Sequence, residues 1–126
     1  MRKKVLVIEN DRDVRDIVSL ILEDAGFKCM GMPEPEGIEQ VREFDPDIIL
    51  VDEFVNSKPG HRVCNRIKRN EKLRHLPVII LSTANNIELI AKECNANDFV
   101  SKPFDMQELV AKVTGVIDNK QLTSLY

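Results

Sequence analysis

Apolar residues fall into two rhythms along this chain. Val5-Leu6-Val7-Ile8, Ile48-Ile49-Leu50-Val51 and Val78-Ile79-Ile80-Leu81 are unbroken apolar runs, the pattern of strands buried on both faces. Val14, Ile17, Val18, Ile21, Leu22 and Ala25 instead recur at helical spacing, which predicts an amphipathic helix with that stripe turned inward. Gly26 follows where a left-handed C-terminal cap is wanted. Lys28 to Met32 reads as a short second strand. Pro33 and Pro35 are expected to open a helix that passes Val41 and ends near Phe44, before Pro46. A loop from Glu53 to Gly60 leads to a helix around Val63 and Ile67. Ile87, Ile90 and Ala91 mark a fourth helix, and Asn95 can take the left-handed position at its end. Phe99-Val100 is a short fifth strand. Asp105 with Glu108 resembles a capping box and opens a last helix with Leu109, Val110, Val113 and Ile117 inward. The tail from Asn119 to Tyr126 is expected to fray or pack loosely.

Strand and helix therefore alternate five times. Apolar strands between amphipathic helices imply an α/β fold, a doubly wound parallel sheet covered on both faces. Right-handed crossovers restrict its topology, and chemistry in such sheets gathers at the carboxyl ends of the strands. A length of 126 residues suits a single domain, 1–126, large enough to bury a core without disulfides or a structural metal. With 43% hydrophobic and 31% charged residues, the chain is neither disordered nor membrane-embedded. The net charge of −3 gives no basic footprint for nucleic acid. Arg66, Lys68 and Arg69 read as a solvated helix face. Only Val5 to Ile8 separates Met1-Arg2-Lys3-Lys4 from Glu9, so no signal peptide is read. No apolar run approaches membrane-spanning length, and a cytoplasmic location is expected. Cys29, Cys64 and Cys94 lie far apart without metal-site spacing. They are expected to be small buried or half-buried side chains in a reducing compartment. His61 and His75 are isolated and read as surface residues.

The polar residues that end the strands carry the chemistry. Strand one ends in Glu9-Asn10-Asp11, strand three in Asp52, strand four in Ser82-Thr83 and strand five in Ser101-Lys102-Pro103. With those strands side by side, acids, a hydroxyl and a lysine converge on one rim. Such a set suits a hard divalent cation and a phosphoryl group. Mg²⁺ takes oxygen ligands and needs only one or two carboxylates, a lysine pairs with phosphate oxygens, and a carboxylate can be the nucleophile. Taken singly, Asp52 reads as a turn residue, Lys102 as a surface lysine and Ser82 as a helix N-terminal residue. Phe99 alone reads as core, and Asp11 as the cap of the first helix.

Four stretches change that balance together. Val5-Leu6-Val7-Ile8-Glu9-Asn10-Asp11, Pro46-Asp47-Ile48-Ile49-Leu50-Val51-Asp52, Leu76-Pro77-Val78-Ile79-Ile80-Leu81-Ser82 and Asn97-Asp98-Phe99-Val100-Ser101-Lys102-Pro103-Phe104 resemble, in this order and spacing, the receiver domain of two-component response regulators. The resemblance covers about Lys3 to Ile117. It implies a flavodoxin-like (βα)5 sheet with strand order 2-1-3-4-5. It implies Mg²⁺-dependent transfer of a phosphoryl group to Asp52 from the phosphohistidine of a sensor histidine kinase or phosphotransfer protein. Glu9, Asn10, Asp52 and the backbone carbonyl of Phe54 would hold the metal. Lys102 would pair with acceptor and phosphate, Ser82 would bind the phosphoryl group, and Phe99 would turn with the switch. A cis peptide would join Lys102 to Pro103. A downstream protein would meet the face of the fourth helix, fifth strand and fifth helix. Such a domain is a signalling module, not an enzyme acting on a separate substrate, though it assists its own phosphorylation and dephosphorylation.

The chain departs from the family pattern at several positions. Asn10 stands where the family usually has a metal-ligating Asp, so weaker Mg²⁺ binding is expected. Asn56-Ser57 replaces a usual Met-Pro pair, Asn95 a usual Gly, and Thr83 a common Ala, while Gly60 keeps its place. Asn10 favours the alternative of a pseudo-receiver, a protein-binding module that works without phosphate. A flavin-binding protein of the same strand order would need a phosphate loop after strand one, where Glu9 and Asp11 would repel phosphate. A haloacid-type phosphatase would need a second Asp two residues after Asp52, where Phe54 stands.

Overall fold

A computed structural model describes residues 2–34, 38–52, 54, 55, 58, 59 and 61–124. The elements run β1 (Lys4–Ile8), α1 (Arg12–Asp24), β2 (Lys28–Met32), α2 (Glu39–Phe44), β3 (Ile48–Asp52), β4 (Phe54–Val55), β5 (Lys58–Pro59), α3 (His61–Arg69), β6 (Val78–Ser82), α4 (Ile87–Glu93), β7 (Asp98–Ser101) and α5 (Met106–Ser124). Five parallel strands form one sheet in the order β2-β1-β3-β6-β7. Counting only these strands in chain order, that is 2-1-3-4-5. The loop after β3 carries an antiparallel hairpin, with Phe54 opposite Pro59 and Val55 opposite Lys58.

The strict alternation of side chains along each strand divides the core in two. Leu6, Ile8, Ile49, Val51, Val78 and Ile80 face Val41 of α2, Val63, Cys64 and Ile67 of α3, and Ile90 of α4. Val5, Val7, Ile48, Leu50, Ile79, Leu81 and Val100 face Val18 and Leu22 of α1 and Leu109, Val113, Val116 and Ile117 of α5. Both faces of β1, β3 and β6 are thus dry, which is why these strands read as unbroken apolar runs.

The local signals act as expected at most helix ends. Asp11 caps α1, its Oδ1 accepting from the N–H groups of Asp13 (2.9 Å) and Val14 (3.2 Å). Gly26 has φ +103° and Asn95 φ +61°. Asp105 Oδ1 accepts from Glu108 N–H at 2.6 Å at the start of α5. Other expectations need correction. α2 begins at Glu39 rather than at Pro33, and Asp45, with φ 55°, supplies a left-handed cap at its end. Ile17, placed on the inward stripe of α1, is 58% exposed, because the sheet covers a narrower arc of that helix than the apolar stripe spans. α5 itself runs on to Ser124. The readings attached to Pro35, Gly60, Asn56-Ser57 and the last two residues lie outside the described residues. Among the described residues no helix is long and apolar enough to cross a membrane.

Candidate functional site

The carboxyl ends of β1, β3, β6 and β7 meet at one rim, and the register fixes what meets there. β3 sits between β1 and β6, and Ser82 at the end of β6 lies opposite Ser101 at the end of β7. The next residue, Lys102, stays tied to β6 because its N–H donates to Ser82 O at 2.7 Å. The peptide between Lys102 and Pro103 is cis.

From there the Lys102 ammonium reaches back across the rim. It donates to Asp52 Oδ2 in a direct ion pair and lies 4.0 Å from Glu9 Oε2. Glu9, Asp52 and Ser82 are the polar residues buried among the described ones. Buried charge is tolerated only when paired and hydrogen-bonded. Here one lysine serves two acids, and Glu9 Oε1 also accepts from Asp11 N–H at 3.0 Å. Burial pushes the Glu9 carboxyl up to about 7, helped by a hydrogen bond shared with Asp52 and by the charge of Asp52. The Asp11 N–H and Lys102 act in the opposite direction. Among the described residues, Lys102 is thus the ammonium that faces both carboxyls.

Asn10 stands beside this pair but is turned to the next loop. Its Oδ1 accepts from Glu34 N–H at 2.9 Å, while its buried Nδ2 has no hydrogen-bond partner among the described residues. The amide oxygen is thus engaged away from the acids. Ser82 Oγ accepts from Ala84 N–H at 2.9 Å, which shapes the start of the loop into α4. Phe99 is half-buried on β7, with the Lys112 ammonium 5.7 Å from its ring centre. Lys112 also pairs with Asp98 at 3.2 Å. Phe54 opens β4 directly beyond the rim. The structure therefore brings Glu9, Asp52, Ser82 and Lys102 together and sets Phe99 one strand along.

Sequence reasoning missed one support. The Arg15 guanidinium donates from Nη1 to the backbone carbonyl of Glu9 at 3.0 Å. Its stem passes over Gly31 of β2, where an added Cβ would come within 2.6 Å of Arg15 Cγ. Nothing in the spacing of Arg15 marks this role, because it depends on the packing of α1 against the edge strand.

Comparisons with known proteins place the chain in a family and a fold. The family model described as the response regulator receiver domain matches residues 5–114. The chain is 30% identical over 120 residues to the phosphate regulon transcriptional regulatory protein PhoB of Escherichia coli, covering 93% of this chain and 52% of that protein. It is 29% identical over 117 residues to the DNA-binding dual master transcriptional regulator RpaA of Synechocystis sp., covering 90% of this chain and 48% of that protein. The chain thus spans about half the length of the curated relatives it matches. Among solved structures, a response regulator from Chloroflexus aurantiacus superposes with a TM-score of 0.86 at 25% identity, covering 94% of this chain and 99% of that one. The chemotaxis protein CheY4 of Vibrio cholerae shares the fold, with a TM-score of 0.83 at 21% identity over 92% of this chain and 99% of its own.

Proposed function

Because the chain belongs to the response regulator receiver domain family, we propose that Asp52 accepts a phosphoryl group from the phosphohistidine of a sensor kinase or phosphotransfer protein, and that this switches a protein-binding face. The observation that carries the reading is the Lys102–Asp52 ion pair at the sheet rim, with the Ser82 hydroxyl on the adjoining strand. In the transfer an Asp52 oxygen attacks phosphorus as the phosphorus–nitrogen bond breaks, and the imidazole leaves and takes up a proton. Such transfer depends on positioning and charge neutralisation. Lys102 would hold the acceptor carboxylate and then balance the charge of the phosphoryl oxygens. Ser82 would turn its hydroxyl from the Ala84 N–H to donate to one of those oxygens.

The pair of Glu9 and Asp52, in which burial and then Asp52 raise the Glu9 pKa, fits a hard divalent ion. Glu9, Asp52 and the Phe54 carbonyl would hold Mg²⁺, and Asn10 could join only by releasing Glu34 N–H. Bound there, Mg²⁺ would supply further neutralisation of phosphoryl charge. Asn10 brings one charge fewer than the family's Asp, which weakens the metal without removing the acceptor, the lysine or the hydroxyl. A cytoplasmic location and a protein partner on the α4-β7-α5 face complete the proposal. The DNA-binding named for RpaA is not part of it.

Acetyl phosphate or phosphoramidate with Mg²⁺ should add one phosphoryl group to the wild-type chain and none to Asp52→Asn, as intact mass would show. Equal labelling of the variant would move the acceptor elsewhere. Binding of a partner at full affinity by an unlabelled chain would favour the phosphate-independent module instead.

A further inference from the structure

The fold brings together two cysteines that the sequence keeps far apart. Cys64 lies on α3 and Cys94 caps the C-terminal end of α4. Both are fully buried, in the same half of the core. The Cys64 thiol donates to the Cys94 carbonyl oxygen at 3.4 Å, which places the two residues side by side. Cys94 Sγ lies 3.7 Å from Ala91 O. Cys29, half-buried on β2, belongs to the other half of the core.

We propose that Cys64 and Cys94 form an oxidisable dithiol whose disulfide ties α3 to the end of α4. Thiol–disulfide exchange needs one sulfur to attack and a second to resolve the mixed disulfide, and the pair supplies both. Cys94 sits at the end of α4, where opening of the last turn would expose it, and is the attacking sulfur; Cys64, within α3, is the resolving one. Contact with Cys64 also lowers the Cys94 thiol, against the opposing effect of burial.

The oxidant is a low-molecular-weight disulfide. The Cys94 thiolate attacks one of its sulfurs, the S–S bond breaks, and one small thiolate leaves. Cys64 then gives up its proton and attacks the Cys94 sulfur of the mixed disulfide, expelling the second small thiolate. Two protein thiols are oxidised by two electrons, one disulfide is reduced to two thiols, and the small thiolates take up the protons. Because both sulfurs are buried, the first attack requires the end of α4 to open. The left-handed Asn95 lies just beyond that end. The cross-link would then close the route by which it opened.

The test uses the full chain carrying Cys29→Ser, which removes the third thiol. It is incubated with excess oxidised glutathione and digested without reductant. A Cys64–Cys94 linked peptide, a loss of two hydrogens in intact mass and recovery of both on reduction are the expected results. Hydrogen exchange at the α4 amides should slow by roughly tenfold or more in the oxidised chain. Stable glutathione adducts without the linked peptide, or no oxidation at all, would overturn the dithiol. A linked peptide with unchanged α4 exchange would overturn the tie. None of these readouts depends on phosphorylation, so they stand or fall apart from the receiver reading.

Discussion

Glu9 concentrates the electrostatic tension of the rim. Its carboxyl, ordinarily ionising near 4.5, is raised to about 7, chiefly by burial and then by Asp52. Between those values the folded chain holds a proton that the unfolded chain has lost. Stability is therefore fully present below pH 4.5 and declines as the pH rises through 7. In chelator, the urea midpoint of the metal-free protein should fall across that window, by an amount on the order of a few kcal/mol in unfolding free energy. Glu9→Gln, which cannot ionise, should flatten the decline. An equally steep decline in the variant would assign the titration to another group. Lys102 is placed to restrain this tension but serves two acids at once.

At the scale of elements, α1 shows how much a single cap secures. Its first residue, Arg12, follows Glu9 by three positions, and Asp11 satisfies two of its free N–H groups. Asp11→Ala should cost about 1 kcal/mol in chemical denaturation and should also loosen Glu9, whose Oε1 accepts from the Asp11 N–H. A loss below a few tenths of a kcal/mol would mean that solvent replaces the cap. The capping residue was legible in the sequence because Asp directly precedes an apolar period. β1, β3 and β6 were legible because burial on both faces leaves no polar position to confuse the pattern. The edge strand β2 was fainter, since Lys28, Met30 and Gly31 are exposed. The β4–β5 hairpin read as loop because two-residue strands leave no periodicity. For the rim, the residue types at strand ends were enough to gather Glu9, Asp52, Ser82 and Lys102. Side-chain direction was not legible, so Asn10's turn toward Glu34 and the Cys64–Cys94 contact appear only once α3, α4 and the β2–α2 loop are packed.

Over the whole molecule, the rim connects to a distant face through two adjacent strands. Ser82 ends β6, and Phe99 lies on β7 against the Lys112 ammonium of α5. A phosphoryl group on Asp52 would draw the Ser82 hydroxyl away from Ala84 N–H, altering the start of the loop into α4. Phe99 would then repack, exchanging its contact with Lys112 for the space released. Such coupling is a population shift between two packings, so it requires the phosphoryl group to favour one of them. Beryllofluoride, a phosphoryl mimic, should shift NMR resonances around Phe99 and Lys112 in the wild-type chain. In Ser82→Ala the mimic should still bind at Asp52, with those distant shifts reduced at least by half. Equal shifts in both proteins would remove Ser82 from the relay.

The Arg15 stem over Gly31 has a consequence for inheritance. Any side chain at position 31 must displace Arg15, and Arg15 holds the Glu9 carbonyl. A change on the solvent-facing edge of the sheet thus reaches the acids through a residue that carries no chemistry itself. Gly31→Ala should therefore loosen the rim while arginine stands at 15 and do little once that arginine is lost, as urea midpoints of the two single variants and the double variant would show. The order in which a lineage alters the two positions would then decide whether the path passes through a weakened rim.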